Sequence, residues 1–462
     1  MRSHRALLLP LFAAGALSGA APPAAPTPLD TGLAAMHRGD YLRAASEFKR
    51  AAADSPDSPD PVFLLLFSRW SQALFEDNDA TAPDPGFDEA YQALVRVTSD
   101  RLSRDPKDAP SLAALGGGQV LQAHIDAMRG NYWRAGQGAR HGKRSLETAL
   151  SLDPRLETAL FPMGALNYYA DRLPLVVRGL RTILFIPGGD AALGLKQIRG
   201  VAEEGSRFRV EGRMLFGMLC ADRYQRRYRD ALRHLERARD EAPDSPVVRA
   251  MLASLRMHLG QDEEAEIEFN AAVGLASGEG EEKARQRRWL WLGIAETRLA
   301  RWNLSGADAA LHAAGAESGA QSPALDRGAR RLEGELRERL AAVPALQTSG
   351  DVTVTMAEAA ITARPDMPAG YLLKARLLLD AGKATAADES LARARDTAAA
   401  DAPVWVKGSI ELLSGMTDAA LGRSKAARVH WEKAASVRRF REAEQARLLL
   451  DQPGPDSAIC VP

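Results

Sequence analysis

The feature that most narrows the folds open to this chain is a recurrence at 34 residues. Ala231, Leu235 and Ala238 return as Ala265, Phe269 and Ala272, each 34 positions on. Steps of four and three place such residues on one stripe of a helix, a large side chain between two small ones. That stripe is a seat for a neighbouring helix: alanine lets the axes approach, and the large residue fills the space that remains. Tyr41, Ala44, Phe48, Ala51 and Pro56 share their successive spacings of 3, 4, 3 and 5 with Tyr228, Ala231, Leu235, Ala238 and Pro243. The closing proline cannot continue a helix and starts the next unit. The same stripe recurs as Ala387, Leu391, Ala394 and as Ala427, Trp431, Ala434, and in part as Leu146, Ala149 and Pro154. Gly260, Gly382 and Gly422 each stand five residues before the first alanine, where the turn between paired helices is expected, and Gly39 precedes the first set. A sustained period of this length predicts helix pairs stacked in a row. Only Asp351 to Thr355 alternates like a strand, too isolated to build a sheet.

On these residues, with Trp289, Leu292 and Gly293 fitting the opening W-x-x-L-G of a first repeat helix, the chain resembles the tetratricopeptide-repeat (TPR) superfamily over most of residues 29 to 440. The resemblance implies an all-α fold, an α-solenoid of antiparallel helix pairs, whose concave face is lined by first helices and holds a protein partner. In the best-known peptide-binding members a Lys/Asn clamp grips a C-terminal carboxylate. The corresponding slots here hold Phe216 and Cys220 in one unit and Ala250 and Ser254 in the next, which cannot form that clamp. Phe216, Cys220, Arg223, Trp289 and Trp291 are the candidate groove residues.

Residues 155 to 205 break the rhythm and read as an irregular central segment. They contain Asn167-Tyr168-Tyr169-Ala170-Asp171, Leu173-Pro174, and Pro187-Gly188-Gly189-Asp190 before Gly194-Leu195. This stretch looks like a TPR subfamily found in exported bacterial proteins. More loosely it is similar to a eukaryotic TPR family implicated in lipid-droplet and inclusion-body clearance. Asp190 is placed to cap the following helix. The apolar piece Leu175 to Ile186, broken by Arg178 and Arg181, has two readings: a helix buried under neighbouring repeats, which is favoured, or an amphipathic segment at residues 173–186 on a membrane surface.

The chain opens on Arg2, His4 and Arg5, an apolar run from Ala6 to Leu17, and Ser18-Gly19-Ala20, the pattern of a signal peptide over residues 1–20. A Pro/Ala-rich tether follows at 21–28. No lipobox cysteine follows the leader, since the only cysteines are Cys220 and Cys460, whose pairing is left open. An exported protein, periplasmic or secreted, is expected. An N-terminal array at 29–340, a linker at 341–355, C-terminal repeats at 356–450 and a flexible tail at 451–462 complete the expected organisation.

Lys plus Arg and Asp plus Glu both number 60, so no net field recruits nucleic acid. Gly116-Gly117-Gly118 lacks the Lys-Ser/Thr of a phosphate loop and reads as a loose turn or close helix contact. His124, His141, His234, His258 and His430 lack a partner at metal-ligand spacing and are expected at surfaces or helix ends. Cys220 has Arg213 and Arg223 nearby, which could lower a thiol pKa, but it has no base or resolving partner. The expectation is a non-catalytic extracytoplasmic scaffold with protein partners, no cofactor and no nucleic acid. Peripheral membrane contact through 173–186 is the alternative.

Overall fold

In a computed structural model, the fold is described for residues 26–73, 85–173, 179, 183, 185–222, 224–317, 323–342, 352–437 and 441–451. The expected signal peptide, most of the tether, linker residues 343–351, most of the tail, Arg223, Cys460 and most of 174–184 lie outside the described residues. Within them the chain is all-α, with 21 helices and no strand.

Pairing follows the chain. α1 (Pro28–His37) packs on α2 (Tyr41–Asp54), then come α3 (Pro59–Gln72) and α4 (Pro85–Arg104). α5 (Ala109–Met128) pairs with α6 (Tyr132–Leu152), α7 (Glu157–Asp171) with α8 (Ala191–Glu204), and α9 (Arg209–Ala221) with α10 (Tyr228–Glu241). α11 (Pro246–His258) pairs with α12 (Asp262–Leu275), and α13 (Glu281–Ala300) with α14 (Leu304–Ala316). After α15 (Pro323–Ala342) and α16 (Val354–Ala363), α17 (Pro368–Asp380) pairs with α18 (Ala384–Thr397) and α19 (Val404–Ala420) with α20 (Ser424–Ser436), and α21 (Arg441–Asp451) closes the row. The seat residues Ala44, Ala231, Ala265, Ala272, Ala387 and Ala394 are fully buried, as their spacing predicts.

Every one of these hairpin turns except that of α7 and α8 rests on a single left-handed residue five positions before the first seat alanine. Gly39, Gly130, Gly260, Gly382 and Gly422 occupy that place with φ between +72° and +78°, a region glycine enters without strain. Arg226 and Trp302 hold it in two turns, at φ +49° and +59°. The turn then delivers the second helix at a constant phase.

Two expectations are corrected, and one pair of alternatives is decided. The segment 155–205 contains a helix pair, α7 and α8, joined through residues 172–190. Gly164 and Gly194 let the two backbones touch: a Cβ on Gly194 would lie 2.6 Å from the Gly164 carbonyl oxygen and 2.7 Å from the Tyr168 nitrogen. Val354 and Thr355 begin α16, with the Thr353 hydroxyl capping the Met356 amide, because a cap followed by an Ala-rich run outweighs a short alternation. The glycine triplet lies inside α5, where Gly116 meets the Gly142 backbone of α6; it is a close helix contact, and no turn forms there. Asp190 caps α8 as expected, accepting from the Leu193 amide at 3.0 Å.

Two apolar clusters carry most of the core. One runs from Ala35 to Leu255, the other from Ala250 to Ala443, so the second is continuous across the expected linker. Phe63 and Phe67 of α3, Phe161 of α7 and Phe208 before α9 form an aromatic knot with centroids 5.7 to 6.3 Å apart. An Arg207–Asp60 ion pair at 2.6 Å reinforces it. Contacts also join units far apart in sequence. The His37 imidazole lies 3.3 Å from Glu211 of α9. A Cβ on Gly39 would come within 2.7 Å of Val247 of α11, and one on Gly260 within 3.0 Å of Gln445. Both ends of the row therefore return to the α11–α12 hairpin.

Candidate functional site

Charged side chains lock the hairpins that the groove residues sit on. Buried Glu268 of α12 accepts from Arg239 of α10 at 3.0 Å and Arg249 of α11 at 2.8 Å. A carboxylate removed from water is tolerated there because two guanidiniums compensate it. Glu157 at the start of α7 accepts from the backbone amides of Ser206, Arg207 and Phe208 at 2.6 to 3.1 Å, capping α9 from a different unit. Burial works to raise its carboxyl, but those hydrogen bonds outweigh it and hold the group below the usual range.

The expected groove residues do not share one surface. Phe216 is 2% exposed and Cys220 is 0% exposed, both inside the N-terminal core. Two residues of turn explain this. Gly415 of α19 meets the Trp431 ring and stands twelve residues before Ala427, whereas Gly217, its counterpart against Leu235, stands fourteen before Ala231. The connection Asp222–Arg227 is thus two residues longer, and slots counted back from α10 fall on Met214 and Met218 instead. Met218 is exposed. The Cys220 thiol is pushed up by burial, which the nearby Arg227, Arg233 and Arg199 only partly offset, so it is not an activated nucleophile. His234 is buried rather than superficial, edge-on to Phe216 with centroids 4.6 Å apart, and burial drives its pKa down to about 4.

Trp289 and Trp291 lie on α13. Trp289 is 38% exposed and edge-on to Phe269, and Trp291 is half-buried against the C-terminal core. Gly293 packs on Phe269 of the preceding pair. The residue twelve before Ala307 is Ala295, so the W-x-x-L-G match sits two residues out of register with the packing.

A cavity of about 480 Å³ between α13, α15 and the start of α19 escaped the sequence reading. Glu296, Arg331, Glu335, Glu338, Arg339 and Trp405 line it. Buried Arg339 lies between the Trp302 and Trp405 rings, 4.8 Å from each centroid, and donates to the Leu299 carbonyl and to Glu335, each at 2.5 Å. The Trp405 indole donates to Glu338 at 2.6 Å. Trp302 was the legible signal, because it stands five residues before Ala307, where other turns place glycine. A left-handed tryptophan costs on the order of 1–3 kcal/mol and persists only where its surroundings hold it. Among the described residues no group of three or more His, Cys, Asp or Glu side chains is arranged to hold a metal ion.

Helix hairpins with left-handed turns at a fixed offset, stacked in chain order, define a tetratricopeptide-repeat array. The Tetratricopeptide repeat sequence profile matches residues 223–278, from the α9–α10 turn through α12, so this part of the chain is a TPR segment within a TPR-like all-α row. No curated protein matches it in sequence. Similar solved structures include PilW, described as a widely conserved type IV pilus biogenesis factor. It has 17% identity and a TM-score of 0.35, over 52% of this chain and 91% of that one. Yeast Tom70 is 11% identical over 92% of this chain and 94% of its own, with a TM-score of 0.30. A TPR protein from Parabacteroides merdae ATCC 43184 is 18% identical over 62% and 98%, with a TM-score of 0.29.

Proposed function

We propose that this chain is a non-catalytic scaffold or adaptor that works outside the cytoplasm and holds a protein partner along its stacked helix pairs. The observation that carries the reading is the repeat array itself: pairs with a matched TPR segment at their centre generally serve protein–protein interaction. Met218 on α9 and Trp289 on α13 leave large apolar surface uncovered on first helices, where a partner's side chains would bury it. The leader pattern of residues 1–20 supports the location.

Cross-linking followed by affinity purification from cell-envelope extract tests the reading. One defined partner should be recovered with the wild-type chain and lost with Met218→Asp plus Trp289→Ala. Recovery unaffected by that pair would remove these residues from the interface, and an intact leader on chain retained in the cytoplasm would refute the location.

A further inference from the structure

Charge is balanced over the whole chain but not at one edge. Between Asp126 and Glu147 stand Arg129, Arg134, Arg140, Lys143 and Arg144 with no acidic residue. Between Asp171 and Asp190 stand three arginines, again with none acidic. The fold brings the end of the second stretch, at Phe185 and Gly188, against α6. The Phe185 ring lies edge-on to Trp133 with centroids 4.8 Å apart, Arg140 sits 5.8 Å from the Phe185 centroid, and the Lys143 ammonium donates to the Gly188 carbonyl at 2.7 Å. Gly189 fixes the end of the connection, since a Cβ there would lie 2.4 Å from the Asn167 oxygen and the Asp171 nitrogen.

Apolar side chains are left outside on this same edge. Tyr132 is 59% exposed, Trp133 49% and Ile183 62%. Tryptophan and tyrosine rings, apolar with one polar atom, suit the headgroup level of a bilayer, and arginine suits its phosphates. A nucleic acid would satisfy the cations but give Ile183 no apolar medium. No helix among the described residues is long and apolar enough to cross a membrane, so contact through this edge would be peripheral.

We propose that the edge formed by the start of α6 with Ile183 and residues 185–189 docks on an anionic lipid bilayer. Tyr132, Trp133 and Ile183 enter the interface, and Arg140 and Arg144 face the lipid phosphates. The sequence alone pointed to residues 173–186; the structure adds α6, which supplies both exposed aromatics and most of the cations.

Flotation of the full chain with vesicles tests this. Vesicles of phosphatidylcholine with phosphatidylglycerol should carry the protein, and pure phosphatidylcholine should carry much less. Arg140→Glu plus Arg144→Glu should lower binding by at least about fivefold per arginine, and Trp133→Ser plus Ile183→Asp should abolish it, with circular dichroism confirming that each variant folds. Because the chain has seven tryptophans, the fluorescence arm compares wild type with Trp133→Phe: a blue shift on adding anionic vesicles should appear only in the former. Equal binding to both vesicle types, or full binding by the Trp133/Ile183 variant, overturns the proposal. So does capture of RNA or of an acidic protein that depends on these residues without any capture of vesicles.

Discussion

Two glycines six residues apart in α8 should respond oppositely to the same substitution. Gly200 has open space where a Cβ would go. Gly200→Ala therefore gains only the helix-propensity difference, and stability should rise by about 0.5–1 kcal/mol. Gly194→Ala gains the same amount but drives its methyl to 2.6 Å from the Gly164 oxygen and 2.7 Å from the Tyr168 nitrogen. Both are backbone atoms that no rotamer change can move aside. Overpacking of this kind costs about 1–3 kcal/mol, so the net effect should be a loss of roughly 1–2 kcal/mol. Urea unfolding followed by far-ultraviolet circular dichroism gives the midpoints, and hydrogen exchange on α7 and α8 amides gives the local effect, which matters because a repeat array need not unfold in one step. Midpoints that move in the same direction for both variants would refute the idea that α7 and α8 meet through their backbones.

Raising the pH should loosen the contact between the α1–α2 turn and α9. Burial works to lower the His37 pKa, but Glu211 outweighs it and raises the value. A raised histidine contributes stability in full below its unfolded value of about 6.5 and loses it as pH climbs through the folded value. The midpoint difference between wild type and His37→Gln should therefore shrink between about pH 6 and pH 8, and a constant difference would count against the pair. Glu157→Ala should cost about 2 kcal/mol, because three backbone amides lose a charged acceptor; unchanged hydrogen exchange at Phe208 would contradict it. Cys220 should resist a thiol reagent in the folded chain and react only on unfolding, given its burial and raised pKa; rapid labelling of native protein would show that the α9–α10 unit opens.

The second helices were legible and the first helices less so, for a reason that lies in the turns. Every second helix but α8 is timed by a left-handed residue five positions upstream, so Ala265, Phe269 and Ala272 fell where their spacing put them. First helices vary in length and in how they run into the turn. A two-residue extension at Asp222–Arg227 moved the groove phase off Phe216 and Cys220, and a similar offset misaligned Trp289. Gly164 and Gly194 carry no large residue for a pattern to detect, so the α7–α8 pair read as irregular although its packing is close. Of the Arg339 stack only Trp302 was readable in advance, because Trp302, Arg339 and Trp405 are far apart in sequence and meet only through the fold.

Where a left-handed turn sets the landing of a second helix, a hairpin can take extra chain before that checkpoint without disturbing its seat. The connection between α9 and α10 uses this freedom: the chain through Asp222–Arg227 is longer, yet Ala231, Leu235 and Ala238 keep their buried seats behind the left-handed Arg226. Such a unit can exchange its pendant without redesigning its frame, so related chains could differ sharply in what this loop touches while sharing every buried alanine.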